Sequence, residues 1–263
     1  ADDTGGDSFE FGDSSSLLKA IELIVHRKGF GDRMAQGSAQ LAKEIGKGSE
    51  DFAVTVKKLE APFHDPRFKF GLGLGYTVAP MGADHMLNVH DTNFVENGAG
   101  LTRLKALGDW IEPEPEPVNS LSDKKVEMFC YEVNWQHFMD CAVTCMFFPY
   151  QYYHLAQALS GAGGWEIDAR EIIRIGRRAN TLSRLFNMRE GLTAEDDRLP
   201  KRFMIPYEEG PLQGIAPTHE EMASARSKYY ECMGWNSQSG VPTEEELKSL
   251  NISWAAEFLA VID

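Results

Sequence analysis

Residues 141–165 form the longest stretch of the chain without Asp, Glu, Lys or Arg, and this length raises the question of a membrane span. The stretch contains Pro149, Gln151 and His154, and it ends in several small residues. In hydrocarbon these polar groups would lack hydrogen-bond partners. The composition therefore favours a deeply buried helix and turn over a bilayer span.

The overall composition is that of an ordinary globular protein, with 43% apolar and 25% charged residues. A chain of 263 residues has room for one large domain, or for one domain and a piece of another. The 26 Lys and Arg against 40 Asp and Glu give a net charge of -14. This balance argues against nucleic acid as a partner, because phosphate binding depends on Lys and Arg.

The four cysteines are too few for a disulfide scaffold and favour a reducing cytoplasm. The opening residues lack the basic, apolar and small-residue series of a signal peptide, so none is expected. The first residue is Ala1 rather than Met, which suggests that further sequence precedes it. A cytoplasmic location is the resulting expectation.

Helix-capping signals recur along the chain. Residues 14–16 are serines that can cap one helix, and Asp32 can cap a second helix that ends near Gly46. Ser122 can cap a long helix that runs to about Cys145. Three further pairs have the spacing of a capping box: Asp168 with Glu171, Thr218 with Glu221, and Thr243 with Glu246. These signals predict a mainly α protein.

The segments between the helices carry loop signals. Residues 52–57 alternate apolar and mixed side chains and predict a lone short strand. Residues 62–98 are rich in Gly, Pro, Asp, Asn and His, a composition typical of loops that carry functional sites. Residues 112–117 read EPEPEP, which is incompatible with a helix interior and predicts a stiff exposed crossing. We expect long functional loops and at most a short strand.

Asp140, Cys141 and Cys145 lie toward the end of the predicted helix from Ser122. A carboxylate on a buried helix face must be hydrogen-bonded or paired, so Asp140 is either a structural residue or a hook for the N–H groups of a bound heterocycle. The two cysteines stand one turn apart and are either packing residues or metal ligands. Alone they complete neither a tetrahedral zinc site nor an iron–sulfur cluster.

His85 lies in a glycine-containing loop beside Asp84, and it is either an acid or base near neutral pH or a loop residue bonded to the backbone. Residues 71–75 read GLGLG, a weak signal for phosphate binding because the strand–GxGxxG–helix context is missing. Residues 170–189 contain six arginines against one acidic residue. These arginines either pair with acidic segments or form an anion-facing surface.

An ordered series of motifs resembles the C-terminal part of the tungsten-containing aldehyde ferredoxin oxidoreductase family. The strongest match is residues 184–191 (RLFNMREG). The series also contains residues 3–6 (DTGG), 11–13 (FGD), 26–32 (HRKGFGD), 65–67 (DPR), 71–76 (GLGLGY), 82–85 (GADH), 196–197 (DD), 199–203 (LPKRF), 229–230 (YY), 234–235 (GW) and 240–243 (GVPT). The resemblance covers nearly the whole chain.

The resemblance implies a three-domain parent protein, with a β-rich first domain as the base and two largely helical domains above it. Residues 1–57 would end the second domain and residues 58–263 would form the helical third domain, so that the first domain is absent from this chain. Two pterin groups would hold tungsten, or molybdenum, between the domains and beside a [4Fe-4S] cluster. The implied reaction oxidises aldehydes to carboxylic acids and passes electrons to a ferredoxin-type carrier.

The resemblance also assigns site residues. The family's pterin- and cluster-binding motif runs Asp, two variable residues, Gly, Leu, Cys, and here it reads DCAVTC over residues 140–145. Asp140 then corresponds to the pterin hook and Cys145 to one cluster thiolate, while Val143 and Thr144 replace Gly and Leu. His85 corresponds to a histidine near the metal. With one matching thiolate, the chain by itself is expected to hold an incomplete cofactor site or none.

Three functions remain open at this point. The first is the aldehyde-oxidising enzyme, which works together with the N-terminal domain of the same protein. The second is the related branch that reduces aromatic acyl thioesters of the benzoyl-CoA type. The third is a cofactor-free binding or assembly module, favoured by Val143 and Thr144, and by Met81 and Leu87 where the family often has basic residues.

Overall fold

The computed structural model describes residues 4–6, 8–10 and 12–261, and within them the protein is mainly α, as predicted. The helices and strands are α1 (Ser14–Val25), α2 (Phe30–Met34), α3 (Ser38–Ile45), β1 (Thr55–Val56), β2 (Leu59–Glu60), α4 (Phe70–Val78), α5 (Ala99–Leu104), α6 (Asp123–Cys141), α7 (Tyr152–Gly163), α8 (Ala169–Arg189), α9 (His219–Cys232) and α10 (Glu244–Ser249). Short 3-10 helices cover Ser49–Phe52, Asp91–Asn93, Lys105–Trp110, Ala194–Asp196, Lys201–Met204 and Ser253–Val261. The motif residues Asp3 and Phe11 lie outside the described residues.

Helices α6 and α8 cross at the centre of the main apolar core, to which residues of α4 to α9 contribute. Gly176 of α8 lies against the backbone of α6, where a Cβ would come closer than 3.0 Å to the carbonyl oxygen of Asn134. One turn further along α8, the Asn180 Nδ2 lies 3.4 Å from the Asn134 Oδ1 and donates to the Tyr229 hydroxyl at 2.9 Å. The close crossing therefore depends on a glycine and on buried amides.

Four predicted N-caps are confirmed, because each side chain accepts a hydrogen bond from a backbone N–H in the first turn of the helix that follows it. These caps are Ser122, Asp168, Thr218 and Thr243. Thr218 also completes a capping box, since its backbone N–H donates to Glu221 at 2.8 Å. These local signals located the starts of α6, α8, α9 and α10.

The predictions near the N-terminus need correction. Asp13, rather than the serines that follow it, caps α1, accepting from the Ser15 N–H at 2.9 Å. The second predicted helix is divided into α2 and α3 at Gly37, which has a φ of 88°. Asp32 consequently lies inside α2 instead of capping a longer helix.

The lone strand predicted in residues 52–57 is half of a short antiparallel hairpin, β1–β2, in which Val56 pairs with Leu59. Lys57 and Lys58 form its turn, both with positive φ. The boundary predicted between residues 57 and 58 falls in this turn and stays a prediction. Val56 packs with Leu72 and Tyr76 of α4, so the hairpin covers one side of that helix.

The glycines of residues 71–75 do not form a phosphate-binding loop, because they lie inside the buried helix α4. Asp91 accepts from the backbone N–H groups of Gly71 and Leu72 at 2.9 and 2.8 Å, which caps the helix from a distant loop. A Cβ on Gly71 would come closer than 3.0 Å to the Asp91 carboxylate, and one on Gly75 would overlap Asn88. The glycines therefore let the 88–91 loop approach α4.

Residues 141–165 are not the deeply buried segment that their composition predicts. Phe147 and Phe148 are exposed, and α7 buries only one side, through Tyr152, Leu155 and Ala156. Within the described residues no helix is both long and apolar enough to cross a membrane. The missing charge in this segment reflects an exposed aromatic surface rather than a core.

The arginines of α8 bind neighbouring segments, in agreement with the ion-pair interpretation and not with an anion-facing surface. Arg177 pairs with Glu246 of α10 at 2.5 and 2.9 Å. The Arg178 Nε donates to the carbonyl of Leu250 at 2.8 Å. These contacts of Arg177 and Arg178 hold the segment around α10 against α8.

A buried charge cluster is centred on Asp197, whose side chain is fully buried. The Arg184 Nη1 lies 2.7 Å from Asp197 Oδ2, and the Lys57 Nζ lies 2.6 Å from Oδ1. Tyr230 donates its hydroxyl to the same carboxylate, and Lys57 also donates to the carbonyl of Thr77. This cluster joins the β-hairpin to α4, α8 and α9.

Candidate functional site

Helix α6 ends at Cys141, four residues before its predicted end, in a left-handed turn. The Thr144 N–H donates to the carbonyl of Met139, and the Val143 N–H to that of Asp140, both at 3.0 Å. This Schellman pattern usually has glycine at the position of Val143, because φ is positive there. Val143 adopts a φ of 53°. The backbone thus has the conformation that favours the glycine of the family motif.

Replacing Val143 by glycine should increase the free energy of unfolding by about 1 kcal/mol, because a Cβ in the left-handed region costs about 1–2 kcal/mol and glycine has more freedom to lose when the chain folds. The Val143 side chain is 92% exposed, so its removal loses almost no packing. Urea denaturation would measure the gain. Val143→Ala is the control and should gain less, since it keeps the Cβ; a loss of stability in Val143→Gly would contradict this account.

The predicted ligands Asp140 and Cys145 flank this turn, and both are exposed. The Asp140 carboxylate forms no hydrogen bond with a described residue, so it is not the satisfied structural Asp that one interpretation expected. Thr144 instead has a structural contact, because its hydroxyl donates to the carbonyl of Met139 at 3.0 Å. The turn therefore presents a carboxylate and a thiol to the outside of the helical domain.

His85 lies in a loop that two distant elements hold in place. Asn187 of α8, inside the strongest family motif, donates from Nδ2 to the carbonyl of Pro80 at 2.7 Å. Gly82 has a φ of 103° and lies against the hairpin, where a Cβ would come closer than 3.0 Å to the carbonyl oxygen of Val56. The position of His85 thus depends on α8 and on β1.

Two further histidines lie beside His85, and sequence reasoning did not select them. The ring centroid of His64 is 4.4 Å from that of His85 and 5.0 Å from that of His90. The Lys69 Nζ lies 3.3 Å from the His90 Nδ1. Burial, followed by the nearby charge of Lys69, lowers the pKa of His90 to about 4. The density of histidine in residues 62–98 was the only sequence signal for this group.

The His85 loop and the end of α6 are electrostatically coupled. Although Asp140 as a whole is exposed, partial burial of its carboxylate, followed by the charge of Asp84, raises its pKa above the usual value. Asp84 is held in the loop by its own carboxylate, which accepts from the backbone N–H of Met86 at 2.7 Å. The loop that carries His85 therefore acts electrostatically on Asp140 through Asp84.

These groups fit a cofactor only as part of a larger site. A [4Fe-4S] cluster typically takes four thiolates, and the turn after α6 offers only that of Cys145 beside the exposed Cys141. In the part of the chain that the structure describes, no three His, Cys, Asp or Glu side chains are arranged to hold a metal ion. The free Asp140 carboxylate suits the N–H groups of a heterocycle, and the histidines suit proton transfer.

The sequence matches one family over nearly its full length. The family model described as aldehyde ferredoxin oxidoreductase, domains 2 and 3, matches residues 1–252. The tungsten-containing aldehyde ferredoxin oxidoreductase of Pyrococcus furiosus is 34% identical over 249 residues, which are 93% of this chain and 38% of that protein. The enzyme of the same name from Thermococcus kodakarensis is 34% identical over 264 residues, 98% of this chain and 40% of that protein.

More distant proteins show how far the fold extends. The WOR-like subunit of an aliphatic sulfonate oxidoreductase from Pyrococcus furiosus is 27% identical over 263 residues, 95% of this chain and 36% of that protein. The solved active-site complex BamBC of benzoyl coenzyme A reductase, bound to 1,5-dienoyl-CoA, has the same fold, with a TM-score of 0.68 and 22% identity over 98% of this chain and 42% of that one. The chain spans about two-fifths of the length of the curated relatives it matches. It belongs to the aldehyde ferredoxin oxidoreductase family and matches its domains 2 and 3.

Proposed function

We propose that this chain is the helical part of a tungsten-pterin and iron–sulfur oxidoreductase that oxidises aldehydes to carboxylic acids. The observation that carries the proposal is the left-handed turn after α6, which leaves the Asp140 carboxylate and the Cys145 thiol exposed on its two sides. His85 lies in the separate 80–91 loop, where its neighbour Asp84 acts on the charge of Asp140. Two relatives of this chain are named as tungsten-containing enzymes, which supports the proposal of tungsten as the metal.

Each residue has a separate role in the proposal. Asp140 would accept hydrogen bonds from a pterin at the end of α6, and Cys145 would supply one thiolate to a [4Fe-4S] cluster. The bound metal group supplies the redox chemistry, while the protein positions it and moves protons. His85 accepts or delivers the proton at the substrate, with His64 beside it at a ring-centroid distance of 4.4 Å. His90 stays neutral near pH 7, because its pKa is about 4.

The partners follow from the same arrangement. A bound cluster would supply the path for electrons to a ferredoxin-type carrier, a partner suggested by the names of the relatives. The first domain of the same protein supplies the remaining cluster thiolates and packs on the exposed surface beside Cys145, where Phe147 is 80% exposed and Phe148 is 59% exposed. A cytoplasmic location and the absence of nucleic acid among the partners stay predictions.

A second candidate is the reduction of an aromatic acyl thioester. It is favoured by the fold of the benzoyl coenzyme A reductase complex, to which almost the whole chain is similar. Activity assays with an aldehyde and with an aromatic acyl thioester distinguish the two enzymes. The cofactor-free module is the third candidate, and iron and tungsten analysis of the intact protein separates it from both.

The test compares two exposed cysteines, Cys145 and Cys141. In the full-length protein proposed here, Cys145→Ser should lose the cluster or shift its reduction potential, because thiolate ligation and its surroundings set that potential. The matched control Cys141→Ser should keep the cluster and change stability by no more than about 0.5 kcal/mol, as expected for a surface substitution. Iron content and the electron paramagnetic resonance signal of the reduced protein report the difference. Equal loss in both variants would contradict the assignment to Cys145, and iron-free wild-type protein would favour the cofactor-free module.

A further inference from the structure

Two cysteines outside the candidate site, Cys130 and Cys232, lie on the helices α6 and α9, which pack against each other. The Asn134 Nδ2 of α6 lies 3.6 Å from the sulfur of Met233. Cys130 stands one helical turn before Asn134, and Cys232, the last residue of α9, immediately precedes Met233. Each cysteine therefore lies within one helical turn of this contact between the two helices.

Both cysteines line a cavity of about 690 Å³ that is separate from the candidate site. Its apolar wall includes Trp110, Tyr131 and Ile173. Cys130 is 5% exposed, whereas Cys232 is half-buried, so a reagent in the cavity meets Cys232 first. Cys130 lies ten residues before Asp140, which corresponds to about 15 Å along α6.

The surroundings give the two thiols different reactivity. The neighbouring Cys130, followed by the positive charges of Lys228 and Arg177, lowers the pKa of Cys232 against the opposing effects of burial and Glu127. Burial raises the pKa of Cys130, and the neighbouring Cys232 raises it further. Because the thiolate is the nucleophile, Cys232 is suited to attack an incoming disulfide first. Cys130 is suited to attack the resulting mixed disulfide.

We propose that Cys232 and Cys130 form a two-thiol reactive site that exchanges with small disulfides entering the cavity. The carriers of the proposal are the cavity that both cysteines line, the contact between α6 and α9 beside them and the difference in their exposure. The proposal is independent of the function proposed above, since neither residue lies near Asp140 or His85.

The reaction consists of two exchanges. The Cys232 thiolate attacks one sulfur of the small disulfide, forms a mixed disulfide and releases one small thiolate. Cys130 then loses its proton and attacks the Cys232 sulfur, which forms the Cys130–Cys232 bond and releases the second small thiolate. The protein loses two electrons and two protons, and the small disulfide becomes two small thiols.

The experiment uses the 263-residue chain with Cys141→Ser and Cys145→Ser, which removes the two exposed thiols. The probe is dithiobis-nitrobenzoate, a small aromatic disulfide whose released thiol absorbs visible light. We expect two released thiols per chain and a product that has lost two hydrogens and carries no adduct. Adding Cys130→Ser should give one released thiol and a stable adduct on Cys232.

The matched variant Cys232→Ser should react at least about tenfold more slowly in the folded state, because the remaining Cys130 is buried and its pKa is raised. Circular dichroism checks the fold of every variant. Peptide mapping of the doubly substituted chain identifies a Cys130–Cys232 disulfide even if a further variant fails to fold. An adduct that persists on Cys232 while Cys130 is present, or equally fast reaction in Cys232→Ser, would overturn the proposal.

Discussion

Gly176→Ala is expected to lower the free energy of unfolding by about 3 kcal/mol or more, the upper range for overpacking a core. The added methyl group would come closer than 3.0 Å to the carbonyl oxygen of Asn134, which is backbone and has no rotamer that avoids it. The two central helices, α6 and α8, would have to separate along their crossing. Urea denaturation followed by circular dichroism measures the loss.

Gly161→Ala is the matched control, because Gly161 is also a helical glycine but has no atom within 4 Å of an added Cβ. Alanine there should stabilise the protein by about 0.5–1 kcal/mol, since glycine is the poorer helix former. If Gly176→Ala behaved like Gly161→Ala, the close approach of α6 and α8 would be wrong.

Asp197→Asn is expected to cost about 3–5 kcal/mol, the loss found when one partner of a buried ion pair is removed. The substitution keeps the shape of the side chain but leaves the cations of Lys57 and Arg184 without a compensating charge. Their side chains are 3% and 4% exposed, so water cannot replace the carboxylate. Denaturation at neutral pH measures the effect.

The neighbouring Asp196→Asn serves as its control. Asp196 belongs to a capping box with Thr193 at the surface, accepting from the Thr193 N–H at 2.8 Å, and its loss should cost about 1 kcal/mol. A similar small loss in Asp197→Asn would show that the buried cluster contributes little. In that case Lys57 would have another way to hold the hairpin next to α4.

These two contacts also explain how the candidate site is held. The crossing at Gly176 fixes α6, whose end carries Asp140 and Cys145. The Asp197 cluster fixes the hairpin that supports Gly82 beside His85. Several family motifs are therefore structural, since residues of 184–191, 196–197 and 229–230 meet in this cluster rather than at the site.

The sequence by itself determined the features that depend on neighbouring residues. The caps at Ser122, Asp168, Thr218 and Thr243 were identified correctly, because a cap is a hydrogen bond to a backbone group only two or three residues away. The family was also readable, since its motifs are ordered along the chain. Together they gave the mainly α fold and named Asp140, Cys145 and His85 as candidates.

Only the tertiary structure decided which distant groups meet. The end of α6 at Cys141 and the exposure of residues 141–165 depend on packing that composition does not report. The approach of His64 and His90 to His85, the burial of Lys57 beside Asp197 and the cavity shared by Cys130 and Cys232 each join segments far apart in the chain. Such contacts depend on how the helices cross, and a crossing is determined by complementary surfaces rather than by local spacing.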